Sequence, residues 1–333
     1  MRKTRILFFD PHRKNRRDAI RIMGATGCEV IAPESFKKLE ETILEQEFSA
    51  YALDLEGHQH LTAKGIGLSR VPTILLSQQS FGEVHPYLSD LRYFTNFIAK
   101  GPHNVLNNGD LLGTVAKIVY NDIFGIKKYL AWGASTQTFH LRDSASRRDY
   151  VQHIKHWGES LGIRSAIVKQ IEVVTEELLM NALYDAPIDE RGQRLHNHKT
   201  RKEQVVLPVM HAARLEFGSD GKRVAISVTD PFGSITRDLV LKALTRCFSQ
   251  RDISEESGGA GLGLYFCYKH VDSLVINVDP LQKTEFIGLI DIEQSVKESK
   301  LAGTHTALHF FNTDNFSPLF LQPHQTYRKK SIA

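Results

Sequence analysis

The chain has 333 residues, of which 41% are hydrophobic and 24% charged, and it carries a formal net charge of +4. This length exceeds one ordinary core and predicts two domains; the lack of any apolar run near the ~20 residues needed to cross a bilayer argues against a membrane role. The charge is small, and the basic clusters at 12–17 and 194–202 lack interleaved aromatics, which argues against nucleic-acid binding.

Cys28, Cys247 and Cys267 are too scattered for a disulfide framework or a zinc site. With no export signal legible at the N-terminus, the expectation is a protein of the reducing cytoplasm.

In chain order, Arg5–Phe9 is a short apolar run ending in Asp10, the pattern of a buried strand with a carboxylate at its tip. A polar start at 14–17 leads into Ala19, Ile20, Ile22 and Met23, and Gly24 and Gly27 supply a helix stop. The rhythm then repeats with a strand at 28–31, a helix at 36–44 and a strand at 50–53 ending in Asp54. Further strands follow at 72–76, ending in Ser77, and at Phe94–Ala99, ending in Lys100. Strands alternating with helices predict a doubly wound, parallel, five-stranded α/β domain, in which ligands sit at the carboxyl ends of the strands. Asp10, Asp54, Ser77 and Lys100 all fall at such ends.

Over residues 5–123 this constellation resembles the receiver domain of bacterial response regulators. The resemblance implies Asp54 as phospho-acceptor, Asp10 and Asp54 as carboxylates on a Mg2+ ion, Ser77 as a switch hydroxyl and Lys100 as the amine that pairs with the phosphate. A histidine kinase would then stand upstream. Transfer to a carboxylate needs a cation to neutralise the crowded oxygens. Receivers carry two adjacent acids after the first strand, whereas here Asp10 is followed by Pro11, and the segment between Asp54 and Ser77 is short for a third helix. Two readings stand: a phosphorylated receiver, and a receiver-shaped interaction module without phosphate turnover.

A domain boundary is expected in the segment 125–135, which lacks periodicity. This places a receiver-like domain at 1–124, a linker at 125–135, a second domain at 136–318 and a flexible basic tail at 319–333. Beyond the linker, 138–141 reads as a strand and 146–161 as a helix with Tyr150, Val151, Ile154 and Trp157 on one face. A second helix runs over 165–183. On it Glu177 and Asn181 stand four apart, so a carboxylate and an amide share one face. An alternating strand at 224–229 ends in Asp230-Pro231-Phe232-Gly233. The run 257–264, with Gly259, Gly261 and Gly263, precedes an apolar helix at 265–271. Glycines before a helix N-terminus present amide N–H groups to an anion, and phosphate is the natural guest. Strands at 274–278 and 306–311 complete the pattern, the second opened by Gly303-Thr304.

Taken in this order, the motifs resemble the ATP-binding fold shared by gyrase-type ATPases, histidine kinases and anti-sigma-factor serine kinases, over about residues 136–312. The resemblance implies an α/β sandwich with a mixed sheet that binds ATP and Mg2+. By that likeness Asn181 would hold Mg2+, Glu177 would orient or deprotonate the attacking group, and Asp230 would accept the adenine amino group. Gly233 would border the base pocket, Gly259, Gly261 and Gly263 would close over the phosphates, and Thr304 would support the adenine site. Asp-Pro-Phe-Gly stands where the family has Asp-x-Gly-x-Gly, and the stretch 291–301 is an insertion.

No two-helix hairpin with a phosphorylatable histidine precedes Asn181, which argues against a histidine autokinase using His140, His153 or His156. The layout is closest to the anti-sigma-factor serine kinases. It implies a partner-switching signalling protein that acts on a sigma factor, its antagonist or another signalling protein, and that can homodimerise. The other reading is a binding module in which ATP only sets conformation, or a degenerate scaffold. The basic cluster at 194–202, with His196 and His198, is read as a polar insert loop.

Overall fold

The computed structural model describes residues 4–68, 72–90, 94–196, 198–249, 261–293 and 306–316. The first half contains strands β1 (Arg5–Phe9), β2 (Glu29–Ile31), β3 (Ala50–Asp54), β4 (Thr73–Ser77) and β5 (Phe94–Ala99). Its helices are α1 (Arg13–Gly24), α2 (Phe36–Glu45), α3 (Leu55–Ala63), α4 (Phe81–Asp90) and α5 (Asn108–Tyr120). The second half contains β6 (Thr136–Leu141), α6 (Arg147–Ser160), α7 (Ser165–Met180), β7 (Ala213–Ser219), β8 (Arg223–Asp230), α8 (Arg237–Ser249), α9 (Leu262–Lys269), β9 (Ser273–Asp279), β10 (Lys283–Asp291) and β11 (Ala307–Asn312).

Strands β1, β3 and β4 are buried along nearly their whole length because helices cover both faces, which is why they read as unbroken apolar runs. They pair in parallel in the order β2-β1-β3-β4-β5. The short Asp54-to-Ser77 segment still holds a third helix. It does so by dispensing with a connecting loop: Asp54 is itself the N-cap of α3, and its Oδ1 accepts from Glu56 N at 2.9 Å.

The eleven strands of the described residues belong to one sheet, in the order β2-β1-β3-β4-β5-β11-β9-β10-β8-β7-β6. The chain is therefore an α/β protein built on one large mixed sheet. β11 comes from the end of the chain and closes the seam, parallel to β9 and antiparallel to β5 through the pairs Leu308–Phe97 and His309–Asn96. At the seam His309 Nδ1 lies 3.1 Å from Asn96 Oδ1 and 3.3 Å from Thr114 Oγ1, all three side chains being buried.

Two apolar clusters bind the halves together. Phe81 of α4 meets Phe248 of α8 and Tyr268 of α9 at 5.5 and 5.4 Å between ring centroids, in a cluster that continues beneath α6 and α7. On the opposite face of the second half's strands, Ile123, Ile126 and Leu130 pack against Val275, Ile287, Leu289 and Phe311, so the segment 125–135 covers the sheet there. Beside that cluster Lys117 of α5 donates to Asn277 Oδ1 at 3.0 Å, and Glu285 accepts from Gly125 N, Ser227 Oγ and Asn277 Nδ2. Strands β7 and β10 were not anticipated from the sequence. Their pairings with β6, β8 and β9 are all antiparallel, and the parallel pair β9–β11 makes the second half's sheet mixed.

Candidate functional site

At the carboxyl end of the first half's strands, Lys100 is almost fully buried between two carboxylates. Its Nζ donates to Asp10 Oδ2 at 2.7 Å and to Asp54 Oδ2. Asp10 also accepts from Asn15 Nδ2 at 2.9 Å and from His12 N at 2.8 Å. Burial pushes the Asp10 carboxyl upward, but the attraction and hydrogen bond of Lys100 and the two further donors overcome it and hold it below the usual carboxylate range. Ser77 Oγ is buried and accepts from Gln79 N at 2.9 Å. The structure thus brings Asp10, Asp54 and Lys100 together. The ammonium group lies between the two carboxylates, and the Asn15 amide stands beside Asp10.

In the second half, helix α7 buries Ile171, Val174 and Leu178 against the sheet, which turns Glu177 and Asn181 toward α9. From Asn181 to Asp185 the helix widens into a π-turn, closed by Ala186 N donating to Asn181 O at 2.8 Å. Such turns bring extra side chains to one face, and Asn181 and Asp185 both line a cavity of about 270 Å3. This volume lies just below the usual range for small-molecule sites.

Asp230, the last residue of β8, forms the cavity's inner end and is 2% exposed. Burial pushes its carboxyl up to about 7, against the lowering effect of hydrogen bonds from the backbone of Phe232, Gly233 and Thr284. Directly across the β8–β10 register stands Thr284, whose buried hydroxyl has no hydrogen-bond partner among the described residues and also lines the cavity. Ile235, Leu239, Leu264 and Phe286 give the cavity apolar walls, and Arg194, Lys242 and Arg246 put positive charge on its lining. A carboxylate beside an unused hydroxyl in an apolar slot is suited to a planar heterocycle that both donates and accepts hydrogen bonds.

Gly261 caps α9 at φ +102° and lines the cavity, with α8 so close that a β-carbon would press on Ala243. Gly263 is packed against Glu177 and Asn181, and a side chain there would collide with the Glu177 carboxylate. Gly233, at φ +59°, is fitted against the turn between β9 and β10, where a β-carbon would meet the backbone of Asp279, Leu281 and Gln282. It is not among the residues that line the cavity. Gly259 and Thr304 lie outside the described residues, as do Gly303 and the tail 319–333.

Glu177 faces a neighbouring groove of about 1240 Å3, which shares Asp185 and Arg194 with the cavity. Its Oε2 accepts from Arg201 Nη1 at 3.2 Å. Burial raises the Glu177 carboxyl and Arg201 partly offsets the rise. The sequence reading passed over Asp185, although Glu177, Asn181 and Asp185 repeat at intervals of four. It also passed over Thr284, whose strand opens with Lys283-Thr284-Glu285 and shows no strict alternation that would mark it.

No family model and no curated relative matches the chain. Among solved structures it is similar to a CheY-like response regulator receiver domain protein from Methanospirillum hungatei, at 18% identity over 36% of this chain and 96% of that one, with a TM-score of 0.31. It is similar to the SiaB-SiaC complex from Pseudomonas aeruginosa at 14% identity over 46% of this chain and 88% of that one, with a TM-score of 0.31. The response regulator TrrA from Thermotoga maritima aligns at 20% identity over 34% of this chain and 98% of that one, with a TM-score of 0.28. These are likenesses of shape over part of an α/β chain.

Proposed function

We propose that the second half binds ATP with Mg2+ and that the chain is a signal-transduction protein, in which a receiver-like half is joined through a shared sheet to an ATP-dependent output that acts on a protein partner. The observation that carries this reading is the pair Asp230 and Thr284. A deeply buried carboxylate and an unpartnered hydroxyl, side by side at the inner end of a cavity, are costly to a fold unless a ligand uses them. Adenine offers the amine and the ring nitrogens that such a pair would meet. Asn181 and Asp185 are the oxygen donors that would hold a divalent ion, which when bound neutralises the triphosphate and activates its terminal phosphorus. Glu177 would then take the proton from a serine or threonine hydroxyl of a partner presented from the groove.

One observation favours the second reading, an ATP-gated binding module without transfer: Glu177 is ion-paired with Arg201, which quenches a base. The first test is thermal melting with and without excess Mg-ATP for the wild type, Asn181→Ala and Asp230→Ala. Ligand at ~100 times its dissociation constant adds about 2.7 kcal/mol, so the wild type should shift and the variants should not; equal behaviour of all three removes the nucleotide reading. Transfer of labelled γ-phosphate to partner proteins captured with the wild type, and lost in Glu177→Gln, separates the kinase from the gate.

A further inference from the structure

The basic segment 194–202, read from sequence as a loop without a role, is fastened through its described residues beside the nucleotide cavity. His196 Nδ1 lies 3.0 Å from Leu183 O, and Tyr184 donates its hydroxyl to Glu203 O at 2.6 Å, so the loop is pinned at two points to the π-turn that carries Asn181 and Asp185. Thr200 donates its N–H and hydroxyl to Glu203 Oε1 at 2.7 and 3.0 Å, which closes a tight turn around Arg201. Held this way, the Arg201 guanidinium reaches both Glu177 Oε2, at 3.2 Å, and Asp185 Oδ2, at 3.5 Å. Arg194, on the same loop, lines both the cavity and the groove.

The two carboxylates that Arg201 bridges flank Asn181 along α7, and Gly263, in the first turn of α9, packs directly against Glu177 and Asn181. Arg201 therefore lines the groove beside the cavity, bound to Asp185, which the cavity and the groove share, and to Glu177, against which the first turn of α9 packs. A nucleotide whose base reached Asp230 would extend its phosphates toward this groove.

We propose that the basic loop recognises the terminal phosphate of a nucleoside triphosphate, with Arg201 leaving the Glu177–Asp185 pair to form a charge-assisted contact with that phosphate and Arg194 supporting it. This rests on the reading of the cavity as a nucleotide site. A planar guanidinium suits the exchange, because its fork matches a carboxylate and a phosphate equally well. The same movement uncovers Glu177. The loop would therefore tell ATP from ADP, and would free the carboxylate only when the triphosphate is present.

The test is calorimetric titration of the full chain with ATP, ADP and adenosine in the presence of Mg2+, for the wild type and Arg201→Ala. Arg201 is 43% exposed, so the substitution is compatible with folding. The expected result is an ATP preference over ADP in the wild type that falls by about tenfold or more in the variant, the order of one lost charge-assisted hydrogen bond, with ADP and adenosine affinities unchanged. Tighter ATP binding by the variant would show Arg201 to be only a competing lock, and equal weakening of ATP and ADP would show a merely structural part; either overturns the proposal. A wild type that binds all three ligands equally overturns it while leaving the nucleotide site standing, and one that binds none removes both.

Discussion

Asp230→Asn should separate stability from binding in a way that few other changes can. The carboxyl is 2% exposed, and burial lifts it from 3.8 to about 7. Because the folded value is raised, the native state holds a proton that the unfolded chain has released between these two values. Stability therefore falls as pH climbs from about 4 to about 7 and is flat above that. At roughly 1.36 kcal/mol per pH unit, the ionised carboxylate costs about 4 kcal/mol at pH 8. An asparagine carries no such charge but keeps one acceptor oxygen, and the loss of the second costs about 1–2 kcal/mol of backbone hydrogen bonding.

The apo variant should then be more stable than the wild type by about 2 kcal/mol at pH 8 and equal or less stable at pH 5. It should lose the ATP-induced shift, because the carboxylate proposed to meet the adenine amine has been replaced by a group that can turn a donor toward it. Chemical denaturation at pH 5 and pH 8, with and without Mg-ATP, measures both effects. A variant less stable than the wild type at pH 8, or one that keeps a full ATP shift, refutes the account of Asp230.

Thr284→Val keeps the shape and strand preference of the side chain and removes only the unpartnered hydroxyl. It should leave the apo protein as stable or about 1 kcal/mol more so, and weaken ATP several-fold by titration. Lys100→Met strands two buried carboxylates, so it should cost about 3–5 kcal/mol at pH 7 in chemical denaturation. In the wild type the lowered Asp10 carboxyl contributes stability above pH 3.8 that is lost as pH falls below it; the variant should be less stable at pH 7 than at pH 4.5. Lys117 sits between the rings of Tyr129 and Phe311, and burial brings its amine down to about 7. Charging it destabilises the fold fully below pH 7, and this penalty fades as pH rises toward 10.5. Lys117→Met should therefore gain most over the wild type at pH 6 and least at pH 9, and an equal difference at both values would contradict the burial of a titrating amine.

Much of the architecture is legible in the chain because burial on two faces writes itself as apolar runs. The runs before Asp10, Asp54, Ser77 and Lys100 were read as strands, and each of these residues lies at or just after a strand's end. The four-residue repeat of Glu177 and Asn181 was equally readable, since helical spacing is local. Thr284 escaped because one hydroxyl in a strand carries no mark of its own. Only its register opposite Asp230 distinguishes it.

Local patterning, then, decided by itself many of the strands and helices, though not β7 or β10, and that two carboxylates and a lysine stand at strand ends. Contacts between residues far apart in the chain were left to the tertiary structure. β11 pairs with β5 across more than two hundred residues and makes one sheet of two expected ones. Lys100 neutralises both aspartates, and Arg201 reaches back to Glu177. The physical reason is that period and propensity act over a few residues. Which edge meets which, and which charge finds which partner, follows from how the whole chain buries its apolar faces and satisfies the polar groups trapped between them.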